Sequence, residues 1–260
     1  MDSGKINPMW KQTLALPTLQ PGQIHVWRLA TSDFRGCEDR LAQFLSLEEQ
    51  QRVARFIFDH HRHAYLVTHG VMRRLLGHYL GLEPEQVMLM LNPCGKPSVD
   101  FTRTPATVNT FQFNISESRG MALLAFGLCG ELGVDVEAWR QELDVRRMAG
   151  RFFAAGEKKS LLALPASVQR AAFFYGWTRK EAYMKARGLG FTLPLASFEV
   201  SLDPGGEPRL LSSQEADVRV DEWQMFSLEP GEGFAGALAV HGPAQVTPLA
   251  FTSPLLFAGK

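Results

Sequence analysis

The sequence predicts a mixed α/β or α+β fold with prominent antiparallel strands. Strand-like and helix-like stretches alternate along the chain, and short alternating segments follow one another across turn residues, as in sheets built from strands close in sequence. No low-complexity segment or short repeat points instead to a linker or a solenoid. With 260 residues, 45% of them hydrophobic and 21% charged, the chain can bury a substantial core as one large domain or two small ones.

Taken in order, Ile24 to Leu29 reads as the first strand. Leu41, Phe44, Leu45, Val53 and Phe56 then recur at helical spacing, and Ser46 with Glu49 forms a capping box for the second part of that stretch. From about Arg62 to Leu80, the residues Leu66, Val67, Val71, Leu75 and Tyr79 line one side of a helix, with Arg62, His69 and Arg73 on a basic face nearer the other. Gly81 and Pro84 end it, and Val87 to Leu91 reads as a buried strand. Asn92-Pro93-Cys94-Gly95-Lys96-Pro97 is a turn, and Phe111, Phe113 and Ile115 alternate with Gln112, Asn114 and Ser116 as a half-buried strand. Met121 to Phe126 and Leu132 to Val136, separated by Gly127 and Gly130, read as the arms of a hairpin. Helices follow near 143–153, 157–163 and 168–187, then strands near 198–202, 218–227 and 234–240, with turns at Pro194 and at Asp203-Pro204-Gly205-Gly206.

Lys plus Arg and Asp plus Glu are 27 each, so bulk charge nominates neither nucleic acid nor an anionic membrane. Cys37, Cys94 and Cys129 are odd in number and far apart, against a disulfide framework or a zinc site. The N-terminal residues lack an apolar signal core and no run of about 18 apolar residues occurs, so a cytoplasmic protein is expected. His60, His61 and His63 fit no closed zinc set and read better as a polar helix entry near an anion site.

In Gly133-Val134-Asp135-Val136-Glu137 two carboxylates two residues apart point to one face of a strand, which is costly without a cation. A solvated strand end gives the same pattern. In the helix near 168–187, Trp177, Glu181 and Lys185 are successive i, i+4 neighbours. Glu181 and Lys185 read equally as a surface ion pair worth about a few tenths of a kcal/mol, although the tryptophan on the same face argues against full exposure. If this helix packs across the hairpin, Asp135, Glu137 and Glu181 supply three oxygen ligands suited to magnesium, with Lys185 one turn on to neutralise a phosphate.

Gly133-Val134-Asp135-Val136-Glu137 together with Trp177-Thr178-Arg179-Lys180-Glu181-Ala182-x-x-Lys185-x-x-Gly188 closely resembles the paired signatures of the 4′-phosphopantetheinyl transferases of the larger, Sfp-type class. Gly95-Lys96-Pro97, Phe113-Asn114-Ile115-Ser116, Arg151-Phe152-Phe153 with Glu157, and Leu193-Pro194-Leu195-x-Ser197-Phe198-x-Val200 match in the same order. The resemblance covers residues from about 24 to 240. It implies two similar halves in pseudo-twofold arrangement, each an antiparallel sheet packed with helices: an N-terminal extension over 1–23, an N-terminal half over 24–128 and a C-terminal half over 129–260. Coenzyme A, the co-substrate, would bind in the cleft between them.

By the same resemblance, Asp135, Glu137 and Glu181 would hold Mg2+ against the coenzyme A pyrophosphate. Glu181 would also be the base that takes the proton of a carrier-protein serine, and Lys185 would stabilise pyrophosphate charge. Gly95, Lys96 and Pro97 resemble the turn that meets the adenine end, and Ser116 a phosphate contact. Among the cluster Arg52, Arg55, Arg62, Arg73 and Arg74, the residues Arg55 and Arg62 are the expected coenzyme A contacts, although a solvated helix face reads the same way. The expected partner is an acyl or peptidyl carrier protein, docked on the basic, partly apolar strip Trp139, Arg140, Arg146, Arg147 and Arg151, which reads equally as an ordinary amphipathic helix. A chain holding both halves of the cleft is expected to act as a monomer.

Where the family carries histidine after the serine of its Asn-x-Ser motif, this chain has Glu117. A carboxylate a few ångströms from a phosphate costs on the order of several kcal/mol at an effective dielectric near 20. Glu117 therefore turns away, toward Arg119 for instance, or coenzyme A binds more weakly. A non-catalytic coenzyme A-binding or carrier-binding module of the same fold is the alternative, disfavoured by retention of all three acids and Lys185; a magnesium-dependent phosphohydrolase is disfavoured because no dedicated water-activating residue accompanies them.

Overall fold

Two long helices, each laid on its own antiparallel three-strand unit, organise the chain. The computed structural model describes residues 10–13, 15–105 and 111–251, so parts of the expected 1–23 extension and of the 129–260 half lie outside the described residues. Within them the order is β1 (Lys11–Thr13), β2 (Gln23–Ala30), α1 (Glu38–Gln43), α2 (Leu47–Arg55), α3 (Asp59–Leu80), β3 (Leu89–Leu91), β4 (Pro97–Val99), β5 (Phe111–Ser118), β6 (Met121–Leu128), β7 (Leu132–Ala138), α4 (Val145–Phe152), α5 (Ala155–Ala163), α6 (Ala166–Arg187), β8 (Phe198–Val200), β9 (Leu210–Ser213), β10 (Trp223–Leu228), β11 (Phe234–His241) and β12 (Gln245–Phe251).

The same sequence of elements occurs twice: a strand, a 22-residue helix, a small hairpin, then two more strands. In space the strands run β2-β6-β5 in the first unit and β7-β11-β10 in the second, antiparallel throughout. β12 and β1 extend the first sheet beyond β2, in parallel register. The chain thus returns at β12 from β11 to the sheet that holds β2.

Local chemistry explains the elements. The Ser46–Glu49 capping box is present in both directions, Glu49 N donating to Ser46 Oγ at 3.2 Å and Ser46 N to Glu49 at 2.8 Å. α3 and α6 both stop at a left-handed glycine, Gly81 (φ 68°) and Gly188 (φ 64°). Each helix buries its apolar face against its own sheet, with Val67, Val71 and Leu75 against Trp27 and Phe126 in one core and Phe173, Ala182 and Tyr183 against Ala237 and Ala239 in the other. The outer faces of the two sheets then close on each other through Val26, Leu123, Val134 and Leu238.

Three expectations are corrected. Residues 121–136 do not form a hairpin, because β6 pairs with β2 and β5 while β7 pairs with β11. β6 is apolar almost without a break since it is the middle of a sheet with a core on both faces. The strand expected at 87–91 is short and largely exposed, Met90 at 51% and Leu91 at 67%, because it pairs only with β4 in a two-stranded hairpin outside the main sheets. Arg73 is buried rather than on a solvated basic face; it pairs with Glu49 of α2 and donates to the Val87 carbonyl at 3.1 Å. Burial pushes the Glu49 carboxyl up, but His69 and Arg73 more than offset this and hold it at about 2.

Candidate active site

Gly133 decides how closely the two motifs approach. A Cβ there would lie 2.1 Å from the Ala182 carbonyl oxygen and 2.3 Å from the Ala186 nitrogen, so only glycine lets α6 cross β7 at this distance. Ala182 and Ala186 flank Lys185 and follow Glu181, so the contact brings both functional side chains over the strand that carries Asp135 and Glu137.

β7 has β11 on one edge only, and its other edge faces β5 of the first half. Backbone pairing does not join them. Instead Val134 N donates to Asn114 Oδ1 (2.9 Å), Val136 N to Ser116 Oγ (3.3 Å) and Ala138 N to Ser118 Oγ (3.2 Å). Alternate side chains of β5 satisfy alternate amides of β7, so the seam between the halves is a polar ladder. This is why β5 is buried on both faces where alternation predicted half-burial: Asn114 and Ser116 are buried alongside Phe111 and Phe113.

At the centre, Asp135 is 4% exposed. Its Oδ1 accepts from Lys185 Nζ at 2.6 Å and from Ser116 Oγ at 2.8 Å, while Lys185 Nζ also reaches Ser116 Oγ at 2.8 Å. Its Oδ2 is buried without a hydrogen-bond partner. Glu137 accepts from Ser118 Oγ at 3.1 Å. Burial raises the Glu137 carboxyl, and neighbouring Asp135 raises it further. Glu181 is raised to about 7, by burial first and then by Asp135, with Lys185 opposing. The sequence-predicted Asp135, Glu137, Glu181, Lys185 and Ser116 are thus neighbours contributed by β5, β7 and α6. Among the described residues, no three His, Cys, Asp or Glu side chains stand together as a formed metal site. The donor chemistry fits a hard cation nonetheless: all-oxygen ligands, Glu137 and Glu181 carboxyls raised by burial and by Asp135, and one orphaned Asp135 oxygen.

The Gly95-Lys96-Pro97 turn also reaches the seam. Asn92 Nδ2 donates to the Gly188 carbonyl at 2.7 Å, and Lys96 Nζ donates to the carbonyls of Ala186 (2.8 Å) and Leu132 (3.0 Å). The Lys96 ammonium therefore caps the end of α6, where the helix dipole favours a cation, and burial lowers it to about 8. Arg62 donates to Asp59 and to the Phe56 carbonyl and lines a cleft of about 1030 Å3 that runs past His60, His61 and His63 to Glu117 and Gly120. Arg55 is exposed at the end of α2 and is not among the residues lining this cleft. Glu117 turns onto the adjoining turn, accepting from Gly120 N at 2.6 Å, rather than pairing with Arg119, which instead lies 3.6 Å from Glu142.

Sequence reasoning gave no role to Asn114, Ser118, Glu157 or Lys180. The first two belong to the polar face of a strand taken as solvent-facing. The last two form a fully buried pair, Lys180 Nζ to both Glu157 oxygens at 2.8 Å and to the Phe198 carbonyl at 2.6 Å. That pair anchors α6 one residue before Glu181.

Among the described residues no helix is long and apolar enough to cross a membrane. Two family models match the chain: 4′-phosphopantetheinyl transferase, N-terminal, over residues 27–127, and 4′-phosphopantetheinyl transferase superfamily over 131–239. The 4′-phosphopantetheinyl transferase HetI of Nostoc sp. (strain PCC 7120) is 34% identical over 86% of this chain and 90% of its own length. The 4′-phosphopantetheinyl transferase psf-1 of Bacillus pumilus is 32% identical over 74% of this chain and 78% of its own, and ffp of Bacillus subtilis is 31% identical over 65% and 71%. Asp135, Glu137, Glu181 and Lys185 all fall within the second matched region, and with a relative matched over nearly its full length the chain belongs to the 4′-phosphopantetheinyl transferase superfamily.

Proposed function

We propose that this chain transfers the 4′-phosphopantetheine group of coenzyme A to a serine of an apo acyl or peptidyl carrier protein, releasing 3′,5′-ADP, and that Asp135, Glu137 and Glu181 hold Mg2+ while it does so. The observation that supports this most is that Lys185 and Ser116 close on Asp135 where β5, β7 and α6 meet, while the Glu137 and Glu181 carboxyls both feel the charge of Asp135. When bound, the divalent ion supplies charge stabilisation on the pyrophosphate oxygens.

The remaining chemistry belongs to the chain. The serine oxygen forms a bond to the β-phosphorus, the bond from that phosphorus to the oxygen retained by 3′,5′-ADP breaks, and the serine proton passes to Glu181 directly or through water. Without metal the Glu181 carboxyl is raised to about 7; a divalent ion beside it would favour the carboxylate, the form that can accept this proton. Lys185 and Ser116, side by side, offer donors to a phosphate oxygen. Gly95, Lys96 and Pro97 bring a turn to the same seam for the adenine end, and Arg62 and Arg55 add positive charge beyond it. Both sides of the seam come from one chain, which supports action as a monomer, and the three free thiols suit a cytoplasmic setting.

Mass spectrometry of an apo carrier protein incubated with this chain, coenzyme A and MgCl2 tests the reading. The expected result is a gain of one phosphopantetheine mass; an unmodified carrier under conditions where both proteins are folded rejects it.

Burial makes a pH prediction. A carboxyl raised in the fold contributes stability that is complete below its ordinary value near 4.5 and is lost as pH rises through about 7. Metal-free wild type should therefore lose melting temperature relative to Glu181→Gln between pH 5.5 and 8, and MgCl2 should restore more at pH 8 than at pH 5.5. A difference between the two proteins that does not vary with pH would contradict this.

The docking strip expected on α4 is narrower than its sequence suggests. Arg146, Arg147 and Arg151 are all exposed, but Arg146 Nε is engaged on Gln169 at 2.8 Å, while Arg151 lies over the Phe152 ring. Reversing Arg147 and Arg151 to glutamate should raise KM for an acidic carrier by about tenfold or more and leave coenzyme A affinity unchanged. Equal effects on both would count against docking here.

A further inference from the structure

The ladder across the seam does more than satisfy an edge. Ser118 Oγ has one hydrogen, and with Ala138 N donating to the oxygen at 3.2 Å, that hydrogen is directed to Glu137 Oε2 at 3.1 Å. Ser116 repeats the arrangement one step earlier, accepting from Val136 N and donating to Asp135 Oδ1. Each hydroxyl is held by an edge amide and in turn holds a carboxylate. Arg140, the cation that pairs with Glu137, is 4.0 Å away, beyond hydrogen-bond distance. Ser118 is thus the polar contact that sets the rotamer of a half-buried carboxylate which burial and Asp135 both disfavour as an anion.

We propose that Ser118 is a positioning residue that orients Glu137 for the divalent ion, with Asn114 setting the register in which it does so. Asn114 Oδ1 accepts from Val134 N at 2.9 Å and so fixes which residue of β5 faces which residue of β7. A slip by one residue would turn the serines away from the carboxylates altogether. The assignment rests on the reading of Glu137 as a metal ligand. Groups that orient ligands typically change metal affinity by about 10–100-fold when removed.

The test is calorimetric titration of MgCl2 into the full chain saturated with coenzyme A and without carrier, so the readout is binding rather than turnover. Ser118→Ala should weaken Mg2+ binding about tenfold, leave coenzyme A affinity measured in EDTA unchanged, and have no further effect in a Glu137→Gln background. Ser118→Thr, which keeps the hydroxyl, should stay within about threefold of wild type, and if the alanine variant does not fold, Ser118→Cys, a weak donor, should show the same loss. Unchanged Mg2+ affinity in Ser118→Ala overturns the assignment, as does an equal loss of coenzyme A affinity in EDTA, which marks a purely structural cap. A wild-type chain that takes up no Mg2+ overturns the metal reading and the assignment together.

Discussion

Glu181→Gln should reduce transfer to carrier protein by about a thousandfold, the middle of the range for removing a positioned acid–base group, while the folded chain becomes no less stable. Both parts follow from one geometry. Glu181 lies between burial and Asp135, which push its carboxyl to about 7, and Lys185 offsets this only in part. An amide of the same shape relieves that repulsion but can neither take a proton nor ligate with full charge. The rate of apo-to-holo conversion by mass spectrometry and the metal-free melting temperature at pH 8 check the two parts separately. A variant within tenfold of wild-type rate would remove Glu181 from the chemistry, and one that melts well below wild type would mean that its carboxylate supports the fold.

The largest effect on stability is expected away from the reacting atoms, at Glu157 and Lys180. Both side chains are essentially inaccessible. Lys180 donates to both Glu157 oxygens and to the Phe198 carbonyl, and its ammonium lies 4.2 Å from the centre of the Phe198 ring. Glu157 also accepts from Ala154 N and Val200 N, both at 2.8 Å, so one carboxylate caps α5, pins β8 and holds α6. Burial pushes each partner toward its neutral form, the carboxyl up and the ammonium down, and their attraction opposes both shifts.

Removing one partner leaves a buried charge with no counterion. Lys180→Met should therefore cost about 3–5 kcal/mol, a fall in melting temperature on the order of 10 °C for a chain of this size. Adding Glu157→Leu should recover part of this but not all, since Ala154 N and Val200 N then lose their acceptor. A double-mutant cycle by chemical denaturation measures the coupling. A single-variant cost under about 1 kcal/mol would show that water reaches the pair.

Much of the candidate site was legible beforehand. The i, i+4 series Trp177, Glu181 and Lys185 and the alternation of Asp135 with Glu137 are local periodicities, and the backbone keeps them whatever surrounds it. The capping box at Ser46 and the glycine stops at Gly81 and Gly188 were readable for the same reason. The failures had a common cause. Met121 to Phe126 and Leu132 to Val136 read as strands from the sequence, yet the intervening glycines suggest a hairpin where the chain in fact passes from one sheet to the other. Arg73 carries the same sequence signal as an exposed arginine, because its burial depends on Glu49 of another helix. Asn114 and Ser116 read as the polar face of a half-buried strand, since nothing near them in sequence shows that β7 lies opposite.

Spacing within single elements specifies the helix that carries Glu181 and Lys185, the strand that presents Asp135 and Glu137, and the class of chemistry those residues suit. That β5 meets β7 through side chains rather than backbone, that Gly133 admits α6 against the strand, and that Lys185 closes on Asp135 emerge only in the folded chain. Those outcomes come from pairing unsatisfied edges and apolar faces between segments remote along the chain, and no local pattern specifies which remote partner will satisfy them.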